Sequence, residues 1–222
     1  MKSIWKKVWL CVLAILGLAE LVYLVTQWNI LSWSHKLPIV MAFTGVLHVL
    51  EEEFFPGGFG YAYNVMRNPE DYSNCYPMNP FISMFVNALA IFFFFTPAAL
   101  FPDLYPLSIA VAILWILEAI MHSIMAIKLR SKAIPFYSPG LISTLLVGLP
   151  SSVAYLGILI SQHLTVSTDW IFGVIWFIIV IPVFVMLPEK KLSNKDSPHR
   201  YESDREFYGL FYKYIKNKIN EK

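Results

Sequence analysis

Hydrophobic positions gather into six long blocks, separated by short polar or proline-bearing breaks. They run over about 8–27, 37–52, 81–100, 104–127, 141–160 and 170–187. All but the second supply the ~20 residues a helix needs to cross about 30 Å of hydrocarbon at 1.5 Å per residue. The second is shorter, although it can be extended back to Leu31. Phe101-Pro102-Asp103 makes a tight hairpin between the third and fourth blocks. No internal repeat is visible. The pattern predicts an all-α, polytopic membrane bundle of about six transmembrane helices over residues 1–187.

Beyond Pro188 the character changes, and residues 188–222 read as a basic tail. Phe207, Leu210, Phe211, Tyr214, Ile215 and Ile219 fall at helical spacing, with Lys213, Lys216 and Lys218 between them. An amphipathic cytoplasmic helix is expected there. It could lie on anionic inner-leaflet lipids or pack beneath the bundle, and the spacing does not choose.

Composition sharpens the class. Of 222 residues, 57% are hydrophobic and 14% charged, and mean hydropathy is +0.58. Soluble domains carry about 25% charge, so a disordered chain, a disulfide scaffold and an ordinary cytosolic enzyme are excluded. Basic residues form no patch, and no nucleic-acid partner is expected. Cys11 in an apolar run and Cys75 in a loop suggest neither a disulfide nor a metal knuckle.

Charge sets the topology. With six spans and a cytoplasmic N-terminus, the inner segments hold 16 of the 17 Lys and Arg, and only Lys36 lies outside. The positive-inside rule therefore predicts a multi-pass protein of the cell membrane with both termini cytoplasmic. The first block is too long for a typical signal peptide and lacks a clean cleavage site, so it reads as an uncleaved span.

Ionisable residues within spans are costly and usually face the bundle interior. At 100° per residue, Glu51 and Glu52 lie about 60° and 40° to either side of His48, while Glu53 lies about 140° away. Glu118 and His122 share a face of the fourth span. Both histidines fall roughly 8 Å below the inner boundary, and Asn87 reaches nearly the same level. His48, Glu52 and His122 are the expected ligands of one divalent metal, zinc or iron. Glu51 or Glu118 would be a further ligand or general base, with Asn87 orienting the site. The same residues also suit interfacial carboxylates and a self-satisfied Glu118–His122 pair. Glu20, midway along the first span, is expected to hydrogen-bond a neighbouring helix. His35, His163 and His199 are expected in solvated loops. The long 53–80 connection, with tyrosines at 61, 63, 72 and 76, suits a lid in the headgroups.

His48-Val49-Leu50-Glu51-Glu52, followed by Phe55-Pro56-Gly57-Gly58-Phe59 and Asn64, resembles the HXXEE-domain family of prokaryotic membrane proteins. Asn87, His122, Tyr137-Ser138-Pro139-Gly140 and Leu149-Pro150 are similar to its pattern, and the resemblance covers roughly residues 37–160. The family is named for its motif, so the resemblance implies the bundle and these residues and leaves the reaction open.

Two functional classes fit. One is an intramembrane metal-dependent enzyme, most simply a hydrolase of a lipid or lipophilic substrate entering from the inner leaflet. The other is a non-catalytic binder, transporter or proton relay using the same cluster. The His/Glu spacing also looks loosely like the metal-free acid–base pair of emopamil-binding-protein isomerases.

Overall fold

In a computed structural model, residues 5–130 and 136–220 are described. Helix α1 spans Trp5–Thr26, α2 Trp33–Glu53 and α3 Phe59–Arg67. Then come α4 (Pro80–Leu100), α5 (Tyr105–Arg130), α6 (Leu141–Ser161) and α7 (Ser167–Leu192). The short α8 (Asp204–Tyr208) and α9 (Tyr212–Asn220) close the chain. Among the described residues there is no strand, only an isolated bridge between Ser73 and Tyr76.

Five helices, α1 and α4 to α7, are long and apolar enough to cross a membrane. The second expected span, α2, has full length without comparable apolarity. Its 21 residues cover about 31 Å. It starts at Trp33, four residues before the hydrophobic block suggests. Packing explains its polarity: α2 lies against α1, α4, α5 and α6, and buries Thr44, His48, Glu51 and Glu52. A helix wrapped by other helices does not need a lipid-compatible surface. Lys36, read as an outer-loop residue, belongs to its first turns, with the ammonium 4.5 Å from the Trp28 ring and 4.8 Å from that of Trp33.

Prolines shape three spans in one way. A π-helical turn over Ile91–Phe95, Thr144–Gly148 or Ile181–Met186 ends two residues before Pro97, Pro150 or Pro188. Proline cannot donate to the carbonyl four residues back, and its ring crowds it. Widening the preceding turn by one residue re-pairs the backbone, which lipid requires. The sixth span therefore runs through Pro188 to Leu192, beyond the break expected at that proline.

One end of the bundle is held by His35, which is in α2 rather than in a loop, bonded at 3.0 Å to Asp103 of the α4–α5 hairpin. At the other end the expected loop contains α3. The tail folds against it: Phe207 and Phe211 are buried with Tyr61, Tyr137 and Tyr201. Of the two placements open for the tail, packing beneath the bundle describes this segment. Gly209, at φ +49°, breaks the expected continuous helix. A Cβ there or on Gly58 would collide with the facing backbone, so glycine is required on both sides of this contact. Tyr61 lies under the tail, 5% exposed, rather than in a headgroup layer. His199 likewise stacks on Phe81, ring centroids 4.9 Å apart.

Candidate functional site

Spacing brings the site together. His48 and Glu52 are one turn apart on α2, Glu118 and His122 one turn apart on α5, and the two faces meet. His48 Nε2 lies 3.4 Å from Glu52 Oε1, and His122 Nε2 lies 3.6 Å from the same oxygen. Glu118 Oε2 is 3.3 Å from His122 Nε2. His48, Glu118 and His122 can each offer one ligand atom with all three within 4.8 Å of one another. Both imidazoles and Glu52 are buried. The side chain of Glu118 is 32% exposed, on the same helix side as Met121, which is 47% exposed.

The start of α6 fixes the imidazoles. His48 Nδ1 lies 3.2 Å from the Gly140 carbonyl and from the Ser143 and Thr144 hydroxyls. Those hydroxyls donate to the Gly140 carbonyl, so every neighbour of Nδ1 accepts. Nδ1 therefore carries a proton, and Nε2 faces Glu52, as a lone pair in the neutral ring or a second N–H in the imidazolium. His122 Nδ1 pairs with Ser138 Oγ at 3.0 Å, a hydroxyl that has acceptors of its own in Met125 Sδ and the Pro139 carbonyl. The same tautomer follows. Gly140 adopts φ +91°, and a Cβ there would run into both imidazole rings. Tyr137-Ser138-Pro139-Gly140 thus cradles the site as well as starting a helix. Sequence reasoning placed that motif at a helix start and missed the hydroxyls of Ser138, Ser143 and Thr144.

Glu51 turns elsewhere. Its carboxylate accepts from the Tyr137 hydroxyl at 2.8 Å, from the Ile142 amide at 3.0 Å and from the Ser143 amide at 2.8 Å. It caps α6 across the helix interface, and of the two carboxylates expected as base or further ligand, Glu118 is the one placed beside an imidazole. Asn87 donates to Ser83 at 3.5 Å, and Ser83 donates to Glu53 at 2.5 Å. This Asn87–Ser83–Glu53 chain runs separately from the imidazoles. Glu53 thereby stays within the protein rather than reaching for headgroups. Both oxygens of Glu20 are buried with no hydrogen-bond partner among the described residues, contrary to the interhelical bond expected. Phe59 of α3 covers His122, with ring centroids 6.4 Å apart. Trp115 packs edge-on against His48 at 5.5 Å.

Fold and site fit a helical membrane protein with a buried His/Glu group. The family model described as "Protein of unknown function with HXXEE motif" matches residues 38–155, and the chain belongs to that family. The match takes in His48, Glu52, Glu118, His122 and the Gly140 cradle, and leaves α1, α7 and the tail outside. Nothing among curated proteins or solved structures matches the chain.

Proposed function

We propose that His48, His122 and Glu52 hold a divalent metal, zinc or iron, with Glu118 beside it as general base, in a membrane hydrolase of a lipid or lipophilic substrate. The observation behind this reading is the set of Nε2-to-carboxylate separations, 3.3–3.6 Å. They exceed ordinary N–H···O hydrogen bonds of 2.7–3.2 Å. They match the roughly 3.3 Å edge of a tetrahedron with metal–ligand bonds of about 2.0–2.1 Å. With both rings neutral, two Nε2 lone pairs aimed at one carboxylate oxygen repel it unless a cation sits between them. A metal supplies that cation without a second proton on either ring.

A bound divalent ion activates water and polarises a carbonyl or phosphoryl oxygen. Glu118, the cluster's most exposed carboxylate, is the group to take the proton. Its exposure beside Met121 favours a substrate arriving sideways from the bilayer, since α3 and the tail cover the lower end. In the orientation set by the basic residues, both termini are cytoplasmic, the protein lies in the cell membrane, and the site opens toward the inner leaflet.

Metal content of the purified full-length chain, never exposed to chelator, tests the centre. About one zinc or iron per chain, lost in His122→Ala with helicity retained, supports it. Ion flux in vesicles, or acid–base turnover without metal, would favour the relay or isomerase reading.

A further inference from the structure

A cavity lies apart from the His/Glu cluster. It has a volume of about 760 Å³, between α3 with its following loop and the last turns of α7. One wall is apolar and exposed on the outside of the bundle: Pro182, Met186 and Leu187, of which Met186 is 58% and Leu187 44% exposed. The opposite wall carries Arg67 and Tyr76, with Lys190 at the end of α7.

Arg67 is held rather than consumed. Its Nε and Nη2 reach one oxygen of Glu189, at 3.4 and 3.5 Å, while Tyr63 donates to the other at 2.6 Å. Burial and the Glu189 carboxylate push the Tyr63 phenol above its ordinary range, so it stays a donor. Arginine has five N–H donors, so several remain for a ligand. Arg67 and Lys190 against Glu189 leave one net positive charge at the end of a span. Basic cavities at that level, with an apolar wall continuing into the bilayer, suit phosphate-bearing lipid headgroups.

We propose that this cavity binds the phosphodiester headgroup of an anionic phospholipid, with its acyl chains lying along Pro182, Met186 and Leu187. The site is independent of the metal centre and stands or falls without it.

The test uses full-length protein in detergent, titrated separately with phosphatidylglycerol, phosphatidylcholine and inorganic phosphate. Bound lipid is read by native mass spectrometry and by thermal stability. Phosphatidylglycerol should bind at least about tenfold more tightly than phosphatidylcholine, and Arg67→Gln should remove that preference. Lys190→Gln leaves the Tyr63–Glu189–Arg67 chain in place and should reduce the preference severalfold, which separates headgroup binding from misfolding. Equal retention of the two lipids overturns the proposal. So does an undiminished preference in both variants, or inorganic phosphate binding as tightly as phosphatidylglycerol, which would mean a free-phosphate site.

Discussion

The rings of His48 and His122, carried by different helices, meet edge to face with centroids 4.9 Å apart. Neither ring is held mainly by its own helix. Both are oriented through Nδ1 by the segment that begins α6, and both direct Nε2 to Glu52. The site is therefore a three-helix object, and damage to α6 should reach it without touching a ligand.

Gly140 gives the first test of that statement. Gly140→Ala places a Cβ against both imidazoles and strains a backbone at φ +91°. Metal affinity should fall at least about tenfold while circular dichroism stays helical. Gly157, with open space around its Cα, is the control: Gly157→Ala should leave metal binding unchanged.

Glu51 separates support from chemistry. Glu51→Gln weakens the cap on α6, and thermal unfolding should show a loss of about 1–3 kcal/mol. Protein kept folded at low temperature should still bind metal, whereas Glu52→Gln should not. Loss of metal in Glu51→Gln at full stability would make Glu51 a ligand after all.

The tail should matter for stability and for shielding. Phe211 is fully buried against α3, and Phe211→Ala should cost about 3–5 kcal/mol. Limited proteolysis should then cut within 193–211 at a protease concentration that leaves the parent chain whole. Unchanged resistance would mean that the tail docks without Phe211.

Orientation is checked by cysteine accessibility on a Cys11→Ser, Cys75→Ser background. Asp103→Cys, in the α4–α5 hairpin, should label from outside, and Arg130→Cys, at the end of α5, only from the cytoplasm. Labelling from one side at both positions would refute the six-pass arrangement.

Much of the site was legible because helical geometry is stiff. Four-residue spacing puts His48 with Glu52 and Glu118 with His122 on shared faces, and distance from the span ends sets a common depth. The four-residue spacing puts Glu52 with the histidines, as the structure has it. The partners of Glu51 were not legible, since they depend on how α6 packs against α2. The α6 cradle was hidden for a related reason: His48 and Ser143 are 95 residues apart. Helix α3 was concealed by composition, since its nine residues are too few to be helical without packing. The tail's apolar stripe could be read, but not its partner, because Tyr61 and Phe211 meet only in the folded chain.

The most direct test of the central claim is elemental analysis of the purified full-length protein by inductively coupled plasma mass spectrometry, beside His48→Ala and His122→Ala. The proposed centre predicts about one zinc or iron per parent chain and at least a tenfold drop in each variant, with helicity unchanged. A parent chain that carries no metal above background, and takes up none when titrated with zinc or ferrous iron, would contradict it.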